Sequence, residues 1–245
     1  MEQATRQRNP RGQGQVLRDQ LVEATARLLA TMDRPETLTL RQVAREVGVA
    51  PASIYSHFAD LTALIEHVLK LRYDELGCLM NDAAAATTSP LAELTARCAA
   101  YVHWGIEHPG EYRTIIGGAM PEQLAPLNAH GAGEELLNTL VRALAAATRQ
   151  GGKPSTADEQ WQAGLILWTG MHGLVSLYNS HGNLPWPALD DLLTRLLSLH
   201  TGRTTTEIED LMAGYPTTTA DHTPRVLTRP PPDTHEAKPV PTTQQ

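Results

Sequence analysis

Residues 40–58 read LRQVAREVGVAPASIYSHF, and the sizes of three side chains in that stretch decide the fold. Ala44 follows Leu40 by four positions, Gly48 follows Ala44 by four, and Ile54 follows Gly48 by six. Two short helices crossing steeply over a tight turn need a small residue where they touch, and Ala44 supplies it. The turn needs a residue at ease with positive φ, which is Gly48. The second helix must then plug the wedge with an apolar side chain, Ile54, while Val43, Val47 and Val49 fill the remaining space. Thr39 stands where it can cap the first helix, and Pro51 suits the first turn of the second, which should run to about His57. This is the spacing of a DNA-binding helix-turn-helix.

Working outward, apolar residues recur at helical steps and no sustained alternation marks a strand. Leu17, Leu21, Ala24 and Leu28 predict a helix before the motif, ending ahead of Asp33-Arg34-Pro35. A long helix should run from about Ala59 into the Ala83 to Ala86 run. Others follow from Ser89-Pro90 to His108-Pro109-Gly110, around Glu111 to Ile116, from Glu134 to Gln150, from Thr156 to about Ser180 and from Pro187 to His200. A Gly/Pro-rich loop over 117–133 separates two of them. From Thr201 the chain is rich in Thr and Pro and is expected to be disordered beyond about Tyr215. The predicted class is all-α. Residues 1–11 form a basic arm, 12–60 a three-helix DNA-binding head, 61–200 a larger ligand-binding and dimerisation bundle, and 201–245 a tail.

Net charge is −7, yet its distribution favours a nucleic-acid contact at one end. Residues 1–58 hold eight Arg against six acids, a balance of +2, and the remainder carries −9. Arg6, Arg8 and Arg11 can track a DNA backbone or enter a minor groove. Ala52 and Ser53, short and early on the second helix, would meet base edges, Ala52 a thymine methyl and Ser53 a polar edge. Tyr55 and His57 would donate to phosphate oxygens, as would Thr39 and Arg41 from the preceding helix.

This stretch resembles the tetracycline-repressor (TetR) family of bacterial regulators. The matching residues are Thr39-Leu40-Arg41-Gln42-Val43-Ala44, Gly48-Val49, Ser53-Ile54-Tyr55 and His57-Phe58, followed by a long helix. The resemblance covers roughly Val16 to Leu71, and it assigns phosphate contacts to Thr39, Arg41, Tyr55 and His57. Two positions depart from it. Ala50 stands where the family often has a capping Ser or Thr, and Leu61 where it usually has a phosphate-facing Lys. Farther on, His108-Pro109-Gly110-Glu111-Tyr112-Arg113, Trp168 and His172-Gly173 are similar to a sensing-domain type named for its Trp, His and Gly.

Trp161, Leu165, Trp168, His172 and Val175 follow steps of three or four and share one helix face. That face suits the wall of a ligand cavity, a core contact or a dimer contact. Trp104, Met120, Trp168 and His172 are the candidate ligand residues. The helices of 156–180 and 187–200 are the candidate dimer interface. No HxxxH, HExxH or CxxC spacing occurs, so no metal and no cofactor are expected, and Cys78 and Cys98 read as buried small apolar residues. No phosphate loop or nucleophile elbow suggests an enzyme. With no membrane span and no signal-like N-terminus, the expected setting is the cytoplasm. The expected partners are an operator in double-stranded DNA, a second copy of the chain and a small-molecule effector.

Overall fold

Local chemistry starts and stops each element around the motif. In a computed structural model, which describes residues 13–32, 34–116, 132–149 and 155–214, α1 spans Gln13–Thr31 and a 3-10 turn follows at Pro35–Thr37. Helix α2, Leu40–Val47, opens on a complete capping box. The Thr39 hydroxyl oxygen accepts the Gln42 N–H at 3.3 Å, and the Gln42 carboxamide accepts the Thr39 N–H at 2.8 Å. Two orphan amides are thereby satisfied. Gly48 ends the helix at φ 78, in the left-handed region where a Cβ would be strained. The chain then turns so tightly that Val49 N–H donates to Ala44 O at 2.9 Å.

Helix α3 is a single turn, Pro51–Ile54. It is shorter than the sequence predicts, although Phe58 N–H still donates to Ile54 O at 3.0 Å, so the segment keeps a helical path to its end. The Ser56 hydroxyl donates to Ser53 O at 2.7 Å, which offers that carbonyl a partner outside the regular ladder. Asp60 then caps α4, Leu61–Ala85, by accepting Ala63 N–H at 2.8 Å. Val43, Ala44 and Ile54 are all buried against Leu21, Leu29 and Phe58.

At 1.5 Å per residue, α4 is about 37 Å long. Its early residues Leu64, Ile65 and Val68 belong to the head, and Leu76 and Met80 to the body, so one apolar core runs through both. Helix α5, Pro90–Glu107, lies at the centre of the body, with α6 (Pro109–Ile116), α7 (Ala132–Thr148), α8 (Ala157–Ser180) and α9 (Leu189–Thr201) around it. No strand occurs among the described residues, and the fold is all-α as expected.

A tenth helix, Thr205–Met212, occupies part of the segment that composition assigns to the tail. Thr204 and Glu207 form a capping box, and Ile208 and Met212 are buried against α5 and α9. Thr-rich composition masks that local signature. Cys98 is buried as expected, whereas Cys78 lies on an exposed face of α4. The N-terminal arm, the loop over 117–131 and the tail beyond 214 lie outside the described residues.

Ile208 is fully buried, so Ile208→Ala should cost about 2–5 kcal/mol. Chemical denaturation measures it. A loss below about 0.5 kcal/mol, typical of surface positions, would make α10 peripheral.

Candidate nucleic-acid interface and internal cavity

With Ile54 turned inward, the rest of α3 and the turn after it faces out. Ala52 is exposed, Tyr55 is 60% exposed, and Ser53 and His57 are half-buried. The phenol of Tyr55 and the hydroxyl of Ser53 have no protein partner among the described residues. His57 lies against α1, its Cε1 only 3.8 Å from where a Cβ on Gly14 would stand. Arg18 of α1 reaches over the Phe58 ring, its guanidinium carbon 4.4 Å from the centroid, and brings positive charge beside this segment.

Thr39 and Arg41 flank the segment. The single hydroxyl proton of Thr39 already goes to Gln42 Oε1 at 2.7 Å, so a phosphate must compete with the capping box for it. Arg41 is exposed and makes no ion pair among the described residues, and the same holds for Arg45 one turn later on the same face. Sequence reasoning passed over Arg45, though its spacing from Arg41 was the available signal. Arg6, Arg8 and Arg11 lie outside the described residues.

A cavity of about 590 Å³ opens between α4, α5, α6, α7 and α8 of the body. Tyr73, Tyr101, Ile115, Leu140, Trp168 and Met171 are among its walls. Of the four candidate ligand residues, Trp168 lines the space. His172 stands one turn behind it, ring stacked on Trp168 at 5.5 Å, and is not a wall residue. Trp104 packs instead on His108 and Tyr112, at 5.6 and 6.4 Å between centroids. Met120 lies outside the described residues. The face shared by Trp161 and Val175 passes from exposed at Trp161 and Leu165 to buried at Val175, so one stripe serves both cavity and core.

Behind the walls runs a polar chain. The Tyr101 and Tyr112 hydroxyls are 3.1 Å apart, and Tyr112 Oη lies 2.7 Å from His172 Nδ1. Burial holds His172 below its ordinary pKa and pushes Tyr112 up to about 12. Burial raises Tyr101 still more firmly, helped by its phenolic neighbour. All three groups are therefore neutral near pH 7. In its Nε2-protonated tautomer the neutral imidazole accepts the Tyr112 proton at Nδ1, and the chain then runs in one direction from Tyr101.

Helix α6 joins this chain to the head. It carries Tyr112, and also Ile115 and Ile116 of the cavity wall. One turn earlier, a Cβ on Gly110 would stand 2.7 Å from Ala30 O, so only hydrogen lets α6 approach the end of α1. The Arg113 guanidinium donates to Ala30 O at 2.8 Å and Met32 O at 3.5 Å, covering carbonyls that α1 leaves unpaired.

Two family profiles cover this architecture. "Bacterial regulatory proteins, tetR family" matches residues 21–68, and "Tetracyclin repressor-like, C-terminal domain" matches residues 94–199. The chain belongs to the TetR family. It is thus a DNA-binding transcriptional regulator rather than an enzyme. Among curated relatives, the nucleoid occlusion factor SlmA of Enterobacter sp. is 24% identical over 61% of this chain and 77% of that protein. Its Escherichia coli counterpart is also 24% identical, and there the match spans about half of the relative, 52%. Among solved structures, the fatty acid degradation regulator FadR from Bacillus halodurans aligns with a TM-score of 0.61 at 15% identity. That alignment covers 79% of this chain and 97% of that one. A putative TetR-family regulator from Rhodococcus sp. gives 0.60 at 18% identity, over 80% and 98%. These likenesses show a shared fold.

Within the TetR fold, both departures in the head have a structural correlate. Ala50 gives α3 no side-chain cap, and Leu61 packs half-buried against the core. Neither supplies a polar side chain at that surface, while Arg41, Arg45 and Tyr55 are exposed there without an ion-pair or hydrogen-bond partner among the described residues.

Because the folded-state pKa of His172 lies below its unfolded value, the neutral form is favoured by folding. Its stabilising effect is complete above the unfolded value near pH 6.5 and declines as pH falls from there. His67 and His200 are lowered by burial too and add slopes of the same sign. The melting temperature should therefore fall from pH 7 to pH 5, less steeply in His172→Gln. An identical slope in that variant would show that the His172 proton is not linked to folding.

Proposed function

We propose that the protein is a homodimeric repressor that leaves a near-palindromic operator when a small molecule enters the cavity. The observation that carries the reading is the double role of α6, which is at once part of the cavity wall and the brace on the end of α1. A ligand that prefers one position of Ile115 and Ile116 biases the position of Gly110 and Arg113, and with it the head.

Dimerisation rests on an apolar face of α8 and α9. Ile166, Leu177 and Leu199 are 60%, 49% and 82% exposed, and Gly173 offers close approach between them. Large apolar side chains in such a row are a docking surface rather than ordinary scatter. A two-fold axis through paired α8 and α9 helices gives a four-helix contact and two recognition segments. On DNA those segments must fall about 34–36 Å apart or at a multiple of it, hence the near-palindrome.

Ala52 and Ser53 are assigned to base edges. Thr39, Arg41, Tyr55 and His57 are assigned to phosphate, together with Arg45 and the arm residues Arg6, Arg8 and Arg11. A second reading, control by a partner protein or by no ligand, draws on the relatives named nucleoid occlusion factors. The cavity and its brace favour the first.

Gel shifts across salt on the gene's own upstream inverted repeat separate these roles. Arg41→Ala should weaken binding to all duplexes and lower the slope of log K against log salt by about 1. Ser53→Ala should instead change preference among operators. An unchanged slope would remove Arg41 from the phosphate set. Arg113→Met should leave effector binding intact while reducing effector-driven release from DNA; full release in that variant would refute the brace as the coupling element.

A further inference from the structure

The walls of the cavity limit what can occupy it. Its described lining holds one acidic side chain, Glu134, and no Lys, Arg or His. The polar tips farther in are already engaged. Tyr73 donates to Ile115 O, and the Tyr101 hydroxyl is shared with Tyr112 and the Trp168 indole. The interior thus offers aromatic faces and aliphatic surface, and its described side chains present no free donor for an anion. A carboxylate or phosphate carried inward would lose its water and gain nothing in exchange.

Glu134 and Trp161 mark the mouth, since both line the cavity and both remain exposed, Trp161 by 40%. Glu134 makes no ion pair or hydrogen bond among the described residues, whereas its neighbour Glu135 is paired with Arg142 at 2.9 Å. The sequence between α6 and α7, residues 117–131, contains no Lys or Arg that could neutralise it. An acid and an indole on the rim of one cavity form an arrangement that attracts an organic cation.

Resting on the ligand-responsive reading above, the geometry points to a lipophilic ammonium compound as the effector class. Its flat apolar body lies among Tyr101, Trp168 and Met171, and its charged head stays at the mouth between Glu134 and Trp161. The head keeps part of its hydration there, so the charge contributes selectivity while the apolar body contributes most of the affinity.

Three probes of one shape test this: naphthylmethylammonium, naphthylmethanol and naphthoate, titrated calorimetrically into the full-length protein at pH 7. The ammonium should bind about five- to tenfold tighter than the carboxylate, with the alcohol between them. Glu134→Gln should bring the ammonium to within about twofold of the alcohol. Leu137→Trp, which fills the cavity from its half-buried wall, should abolish binding of all three while an unchanged helical circular-dichroism spectrum and a cooperative melt confirm that the variant folds. A carboxylate that binds as well as the ammonium, or an ammonium preference that survives Glu134→Gln, overturns the charge assignment and leaves the cavity reading standing. If none of the three binds the native protein, the ligand-responsive reading itself falls.

Discussion

Between Gly110 and Ala30 two helices meet backbone to backbone, at a distance that no side chain could occupy. Most of the molecule's organisation depends on this approach. α1 is the longest helix of the head and holds Leu21 and Leu29 against Ala44 and Ile54. Its last carbonyls lie at the exposed end of the helix. Arg113 reaches them with a charged donor, a solvent-exposed contact that contributes about 0.2–1 kcal/mol. A second link runs in parallel, where Arg72 of α4 bridges Glu23 of α1 at 3.1 Å and Glu75 at 2.7 Å. Two carboxylates hold that guanidinium protonated against the cost of its burial. The head is therefore fastened to the body at both ends of one short path.

The same path leads into the cavity wall. Tyr73 follows Arg72 in sequence and donates to Ile115 O, so α4 and α6 are tied where each faces the cavity. Behind them, Tyr101, Tyr112 and His172 form a chain whose members are all kept neutral by burial. Neutrality matters because a charged imidazole would donate at Nδ1 and reverse the hydrogen bond from Tyr112. An apolar cavity with an ordered polar backing is stiff. On the proposed ligand-responsive reading, occupancy would be passed on as displacement of whole helices rather than absorbed by loose side chains.

What the sequence disclosed and what it withheld divide by range. The helix-turn-helix was legible because its demands are local and steric: a methyl at Ala44, a hydrogen at Gly48, a branched chain at Ile54. The Thr39 cap and the Pro90 start are read within four residues for the same reason. Helix α10 was hidden by composition, although Thr204 and Glu207 carry a capping pattern. The contact of Arg113 with Ala30 spans 83 residues and leaves no periodic trace. Helical phase placed Trp161, Trp168 and His172 on one face, but phase cannot tell that this face slides from solvent through a cavity wall into core. Trp104 was grouped with them by residue type alone, and it packs on the far side of Tyr112.

Energy sets the last constraint on how such a fastening can be a switch. A flat aromatic body buries roughly 150–250 Å², worth about 4–6 kcal/mol at 25 cal/mol per Å². Converting a two-state population from 1:99 to 99:1 needs about 5.5 kcal/mol of difference between the states. The whole apolar gain of one ligand is thus comparable to a complete switch, and only the part that differs between states is effective. On the proposed release mechanism, the two head positions would accordingly lie within a few kcal/mol of each other. Along α4 the head and the body share one apolar core, so the head moves with that helix rather than away from it. On the proposed mechanism the positions would differ at the α1–α6 junction, where a glycine contact and one guanidinium are small enough to stay within that limit.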